Sequence, residues 1–211
     1  MLSSSDSHTS DSHTLDPQVI DLEDGLLHYF PTAFAVEEAD FLLDFCLRQL
    51  PWRQDTLFMF GRRVAIPRLH CWLGDPGATY SWSRLTLEPL PWPAALLPMK
   101  QRVEMLSAHR FNAMLANHYR DGNDSVGWHS DDERELGPAP VIASVSLGTT
   151  RKFQLQHKRS RRVFNLPLQH GSLLVMAGDT QRHWRHQLPK EKAVRGARVN
   201  LTLRRVLITP A

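Results

Sequence analysis

The chain has 211 residues, 42% of them hydrophobic, and a formal net charge of +3 at pH 7. That supports one compact domain with its own core, while the charge excess is too small to argue for a nucleic-acid partner by itself. No apolar run approaches the ~20 residues that span a bilayer, and no basic segment followed by an apolar stretch marks a secretory leader. The two cysteines, Cys46 and Cys71, sit in apolar contexts without Cys-x-x-Cys spacing. They are expected to be buried, reduced thiols, as in a cytoplasmic protein, and not a disulfide or a zinc site.

Residues 1 to 16 form a polar tail in which Ser5-Asp6-Ser7-His8-Thr9 repeats as Ser10-Asp11-Ser12-His13-Thr14. With almost no apolar residues it is expected to be disordered. The rest of the chain, 17 to 211, reads as a single domain. Gly25 to Pro31 predicts a short strand. Val36 to Leu50 carries Phe41, Leu42, Phe45, Cys46 and Leu50 at a helical period. Glu37, Glu38 and Asp40 near its start suit the helix dipole, and Pro51 stops it. Leu57 to Trp72 reads as strand, a turn at Gly61-Arg62-Arg63, and strand. Asp75 to Pro93, rich in proline and aromatics, reads as a recognition loop. Pro98 to Ser107 predicts a second helix with Met99, Val103 and Leu106 on one face.

From Phe111 onward short strands dominate: Phe111 to Tyr119, Val141 to Leu147, Lys152 to Gln156, Arg162 to Leu166, Ser172 to Ala177 and Arg198 to Ile208, separated by turn residues. Helices followed by many short strands predict a mainly β sandwich or jelly roll. Arg151, Lys152, Lys158, Arg159, Arg161 and Arg162 crowd one stretch, so His157 to Arg161 reads as a basic hairpin tip. Such a tip is either a phosphate grip, with salt-sensitive affinity, or a solvated loop.

Two segments carry chemistry. Arg198 to Arg204 reads R-V-N-L-T-L-R. Side chains alternate across a strand, so Val199, Leu201 and Leu203 share one face and Arg198, Asn200, Thr202 and Arg204 the other. The polar face is either a solvated outer surface or a site for an anion, and two guanidinium forks suit a small dicarboxylate. Trp128-His129-Ser130-Asp131-Asp132-Glu133 contains His-x-Asp. At i and i+2 of an extended segment the two side chains can offer a nitrogen and a carboxylate oxygen to one metal. A further histidine would complete the two-His-one-carboxylate face of a non-heme ferrous oxygenase. His170, His183 and His186 lie downstream. His170 precedes a turn glycine and reads as structural, and composition does not choose between the other two.

Taken together, Asn117-His118-Tyr119, His129-Ser130-Asp131, Trp184-Arg185-His186-Gln187-Leu188-Pro189 and Arg198-x-Asn200-x-Thr202-x-Arg204 resemble the AlkB family of Fe(II)- and 2-oxoglutarate-dependent nucleic-acid dealkylases. Pro67-Arg68-Leu69, Trp72-x-Gly74-Asp75 and Thr79-Tyr80-Ser81 add to the likeness, which runs from about residue 25 to 207 and is nearest to the eukaryotic DNA-repair branch. The resemblance implies a double-stranded β-helix with N-terminal helices and nucleotide-recognition loops at about 57 to 93. It implies His129, Asp131 and His186 as catalytic iron ligands, with His183 a neighbour. It places Asn117, Tyr119, Arg198, Asn200, Thr202 and Arg204 on 2-oxoglutarate, and Arg68, Trp72, Tyr80, Asp132 and Glu133 toward the substrate. The chain departs from the family at Leu73, where an aromatic is common, and at His118, in a usually aliphatic slot.

The expected activity is oxidative demethylation of N1-methyladenine and N3-methylcytosine in DNA, with RNA left open, consuming O2 and 2-oxoglutarate and releasing formaldehyde, succinate and CO2. The expected enzyme is a monomer away from membranes. Two alternatives remain at this stage: an oxoglutarate oxygenase with another substrate, and a jelly-roll binding module without catalysis.

Overall fold

The computed structural model describes residues 16–59, 61–82 and 85–208. The repeated polar tail lies outside the described residues. The chain opens with an antiparallel pair, β1 (Gln18–Leu22) and β2 (Gly25–Phe30), followed by helix α1 (Val36–Gln49). Two hairpins and a longer strand come next: β3 (Thr56–Met59) with β4 (Arg62–Ala65), β5 (Leu69–Gly74), and β6 (Tyr80–Trp82) with β7 (Leu85–Leu87). Helix α2 (Leu97–Ser107) leads into β8 (Ala113–Tyr119), β9 (Val126–His129), β10 (Ile142–Gly148), β11 (Arg151–His157), β12 (Val163–Leu168) and β13 (Ser172–Ala177). A single helical turn, α3 (Thr180–His183), runs directly into β14 (Trp184–Leu188), and β15 (Arg198–Arg204) follows.

Local chemistry accounts for the helices. α1 has Glu37 and Glu38 in its first turn and Arg48 in its last, each matched to the dipole end it faces. Leu50 before Pro51 is extended, and the helix stops there. Its buried stripe is Ala39, Leu42 and Cys46. Phe41, expected on that stripe, is exposed and stacks on Phe45 instead. α2 begins with Pro98 in its first turn and ends on Ala108 at φ 52°, a left-handed cap.

The strands form two main sheets. A seven-stranded sheet runs β1-β2-β13-β10-β15-β8-β5, and a four-stranded sheet runs β12-β11-β14-β9. From β8 to β15 the chain passes repeatedly between the two, all pairs antiparallel. This is the double-stranded β-helix, or jelly roll. One hydrophobic core lies between the larger sheet and the two helices and takes Val145, Val199, Leu201, Leu203, Met99 and Val103. A second lies between the sheets and takes Leu27, Phe153, Leu155, Leu174, Met176 and Trp184.

β15 is buried on both faces. Its apolar residues face the helices, and its polar residues face the interior between the sheets. A solvated outer face is therefore ruled out. A one-residue slip would exchange the faces, moving three apolar side chains worth about 1.5–3 kcal/mol each out of the core and two guanidiniums into it.

Short strands β1, β9 and β14 and the turn α3 go beyond the sequence reading, β6 and β7 lie inside the expected recognition loop, and β15 ends at Arg204 rather than Ile208. Arg151 is also not part of a basic surface. It is 1% exposed. Its guanidinium donates to Glu191 Oε1 (3.0 Å) and to the carbonyls of Asp121 (3.1 Å), Asp124 (3.0 Å) and Pro189 (2.7 Å). Those bonds join the loop after β8 to the loop after β14.

Gly122 sits in that junction. Its amide donates to the Val194 carbonyl (3.0 Å), and its own carbonyl accepts from Glu191 (2.8 Å). A Cβ there would collide with the Glu191 carbonyl oxygen, whereas a Cβ on Gly127 would meet nothing within 4 Å. Gly122→Ala is expected to cost about 1–3 kcal/mol, read as a fall in Tm of roughly 2–4 °C per kcal/mol. Gly127→Ala should melt close to the parent, and equal melting of both would refute the close docking of the two loops.

Candidate active site

β14 lies between β11 and β9, and its register sets His186 directly opposite His129. The two imidazole centroids are 4.3 Å apart. His129 Nδ1 lies 2.8 Å from the Gly127 carbonyl, which can only accept. Nδ1 therefore carries the proton, and the Nε2 lone pair is left for a ligand. Asp131 follows β9 and is held from α3: its amide donates to Gln181 Oε1 at 2.9 Å, while Ser130 Oγ donates to the Trp184 carbonyl at 2.9 Å. His129, Asp131 and His186 each bring one ligand atom within 4.8 Å of the others.

The larger sheet supplies the counter-charge. Arg204 Nη2 donates to Asp131 Oδ1 at 2.7 Å, and His186 Nε2 lies 3.7 Å from Asp131 Oδ2. Burial raises the carboxyl of Asp131, but Arg204 and then the two histidines outweigh it and hold the group below the usual carboxylate range. Burial pushes His186 down to about 3, helped by His129, so its imidazole is neutral and basic toward a metal rather than toward a proton.

The polar face of β15 lines the same interior. Arg198 is 2% exposed, and burial lowers its guanidinium to about 10. Its Nη2 donates to Ser146 Oγ at 2.9 Å, its plane covers the Tyr119 ring at 5.4 Å, and its Nε is buried without a hydrogen-bond partner. Asn200 Nδ2 donates to Ser144 Oγ (2.8 Å) and to the Val145 carbonyl (2.9 Å), and Thr202 Oγ1 donates to Asn200 Oδ1 (3.0 Å). Arg68 Nε donates to Asn117 Oδ1 at 2.8 Å. A small cavity touches Asn117, Tyr119, Arg198, Asn200, Thr202 and the His–Asp–His face together.

A wider cavity of about 390 Å³ opens beside it, walled by Val64, Ile66, Arg68, Trp128, Glu133 and the His129–Asp131 segment. Of the residues expected to face substrate, Arg68 and Glu133 are there. Trp72 is not: it is 4% exposed, packs in the core between the sheets and donates to the Ala78 carbonyl at 2.9 Å. Asp132 points outward to Lys158 at 3.3 Å. The side chain of Tyr80 lies outside what the structure describes. His170 accepts from the Gly148 amide at 2.8 Å and stands away from both cavities.

Three supporting residues were not foreseen. Gln181 had no signal. Ser144 and Ser146 did: they alternate with apolar residues along β10 and face Thr202 and Asn200 across the ladder. His186 had one too. Trp184, His186 and Leu188 alternate inward along β14, which separates His186 from His183 once a strand is drawn there.

Two sheets closing over a His–Asp–His face, with a buried two-arginine strand opposite, define a metal-dependent jelly-roll oxygenase. A model of the 2OG-Fe(II) oxygenase superfamily matches residues 26–204. The Mus musculus alpha-ketoglutarate-dependent dioxygenase alkB homolog 3 is 42% identical over 192 residues, covering 86% of this chain and 66% of that protein. The Homo sapiens DNA oxidative demethylase ALKBH2 is 41% identical over 197 residues, covering 88% of this chain and 76% of that protein. The chain thus spans just under two thirds of the alkB homolog 3 length and about three quarters of human ALKBH2. A solved structure, "The structure of OsALKBH1", superposes with a TM-score of 0.59 at 17% identity, covering 89% of this chain and 99% of that one, a likeness of fold. The chain belongs to the 2OG-Fe(II) oxygenase superfamily and, within it, to the AlkB family.

The residues present fit the two groups that this family implies. Two imidazoles and one carboxylate on one face are a donor set for Fe(II) with positions left open. A fully buried guanidinium with an unpartnered Nε is what a missing carboxylate would leave behind. Gln181→Leu would leave the Asp131 amide unpaired. Mn(II) affinity, followed by paramagnetic resonance titration, is expected to fall about 10–100-fold, as for other outer supports of metal ligands. Unchanged affinity would remove Gln181 from the support of the site.

Proposed function

We propose that the chain is an oxidative demethylase of N-alkylated bases, acting on N1-methyladenine and N3-methylcytosine in DNA and also on RNA, and working as a monomer. One observation carries this reading. The His–Asp–His face and the two-arginine strand meet between the same two sheets, and a nucleobase-sized cavity walled in part by residues 64–68 opens onto them. The two relatives named as DNA oxidative demethylase and alkB dioxygenase support it.

His129, Asp131 and His186 would hold Fe(II). Arg198, Arg204, Asn117, Tyr119, Asn200 and Thr202 would hold 2-oxoglutarate. When bound, the iron supplies activation of O2, coupling decarboxylation of 2-oxoglutarate to succinate with oxidation of the N-methyl carbon, which leaves as formaldehyde. The chain's own work is placement and electrostatics. Arg204, already on Asp131, marks the metal end of the anion strand. Arg198, six residues away and bonded to Ser146, marks the far end. Gln181 and Ser130 keep Asp131 from following Arg204 into the larger sheet.

A damaged base must leave its stack to reach this interior. Methylation at N1 of adenine or N3 of cytosine adds a positive charge. Glu133, half-buried in the cavity wall, would favour that cation over the neutral base. Asp132, paired with Lys158 at the surface, is left with no direct part. The exposed Arg159, Arg161 and Arg162 on the β11–β12 turn would meet phosphates, with affinity falling as salt rises.

The test is mass spectrometry of a single-stranded oligonucleotide bearing one N1-methyladenine after aerobic incubation with Fe(II), with and without 2-oxoglutarate. Loss of one methylene mass only with 2-oxoglutarate is expected. Succinate without base repair would redirect the oxygenase to another substrate, and no succinate would favour a binding module. Asp131→Ala is expected to abolish succinate formation while leaving oligonucleotide affinity near that of the parent. Arg198→Met is expected to raise the 2-oxoglutarate requirement by at least about 30-fold, the low end for truncating one member of a buried charge pair. An unchanged requirement would remove Arg198 from the clamp.

A further inference from the structure

Among the described residues, a second trio brings three ligand atoms within 4.8 Å of one another: Asp24, His157 and His183. It lies outside both cavities described above. Asp24 is at the β1–β2 turn at φ 57°. His157 ends β11, and His183 ends α3, three residues before His186. We propose that these residues form a second metal site, for a borderline divalent cation of the Zn(II) type, that clasps the N-terminal hairpin to the sheet carrying the active-site histidines.

The distances favour a bridging cation over direct hydrogen bonds. His157 Nε2 lies 3.5 Å from Asp24 Oδ2, and His183 Nδ1 lies 3.9 Å from the same oxygen. Both exceed the 2.7–3.2 Å typical of hydrogen bonds between nitrogen and oxygen. Ligands on a tetrahedral zinc with bonds of ~2.0–2.1 Å stand about 3.3 Å apart, so the two imidazole nitrogens would close on Asp24 Oδ2 by roughly 0.2 and 0.6 Å. His157 is 1% exposed, and its Nε2, aimed at Asp24, is buried with no hydrogen-bond partner. The Asp24 carboxylate is the open side of the trio and leaves room for a water as fourth ligand.

The supports are already in place. Trp184 Nε1 donates to the Glu23 carbonyl at 2.7 Å, and the Leu26 amide donates to Thr180 Oγ1 at 3.0 Å, so the turn bearing Asp24 is seated on α3 and β14. The His183 carbonyl accepts from the Lys158 amide at 2.7 Å. The two imidazoles are nearly parallel, 12° apart in plane. At His157 Nδ1, the Ser160 amide approaches to 3.0 Å and Ser160 Oγ to 2.8 Å. Without metal the amide donates to Nδ1, and Nε2 carries the proton. On binding, that proton would shift to Nδ1, the Ser160 amide bond to Nδ1 would break as the amide turns aside, Ser160 Oγ would accept from Nδ1, and Nε2 would be freed. Two cations of the β11–β12 turn are engaged elsewhere: Arg162 lies 3.5 Å from Glu23 and Lys158 3.3 Å from Asp132.

The deciding experiment is equilibrium dialysis of the full chain against buffered Zn(II), with metal counted per chain. Asp24→Asn keeps a residue that tolerates the left-handed turn and removes the carboxylate. The parent is expected to bind one equivalent more than Asp24→Asn. Any binding by His8 and His13 is common to both chains and cancels. The same difference is expected in the Asp131→Ala background, where Zn(II) should raise Tm and Asp24→Asn should abolish the rise. Equal counts in parent and Asp24→Asn would overturn the proposal. Neither readout depends on demethylase activity, so failure here would leave the active-site reading untouched.

Discussion

Asp131 is 2% exposed. An ionised carboxylate taken out of water that far loses several kcal/mol of hydration, and here the loss is offset by a guanidinium that comes from the opposite sheet. The Arg204–Asp131 bond spans the interior at 2.7 Å. It joins the end of β9, at the edge of the smaller sheet, to the end of β15, in the middle of the larger one. Everything at the mouth depends on that crossing. If the sheets moved apart, the buried carboxylate and guanidinium would lose each other, and breaking a buried pair costs about 3–5 kcal/mol when one partner is removed. The pair adds little net stability, but it fixes the separation at which two histidines of one sheet can face two arginines of the other.

The two sheets divide the work accordingly. The smaller sheet positions the nitrogen ligands by cross-strand register, which is rigid because His129 and His186 are direct partners. The larger sheet positions the anion donors by strand alternation, which is rigid because the other face of β15 is packed into the helix-side core. Asp131 belongs to neither ladder. It is held by Gln181, its neighbour Ser130 and Arg204, so the one carboxylate of the trio is set by side chains rather than by backbone pairing.

What could be read from the sequence follows the same division. β15 was legible as a strand because seven residues alternate cleanly; that its polar face is buried was not, since a solvated outer face has the same alternation. α1 and α2 were legible from their period and their prolines. β9 and β14 were not, since four or five residues with a Trp, an Arg and a His among them show no simple alternation until their neighbours are known. The choice between His183 and His186 therefore rested on resemblance to a family, although the inward parity of Trp184, His186 and Leu188 carries it. Arg151 was misread for a related reason: a charged residue inside a basic run looks solvated, and only three carbonyls from two distant loops reveal that it is a buried fastener. Trp72 was assigned to the substrate by likeness, and the packing between the sheets claims it instead.

One consequence concerns the two thiols. Cys46 and Cys71 both lie in the core between the larger sheet and the helices, with burial raising them to about 12 and about 11. The His–Asp–His face is on the other side of that sheet. In an enzyme of the proposed kind, which turns O2 into an oxidant, thiols are at risk, and cysteine is damaged chiefly as thiolate and where solvent reaches it. Here the sulfurs are kept protonated, dry and a full sheet's thickness from the His–Asp–His face, so on the proposed reading the fold doubles as shielding.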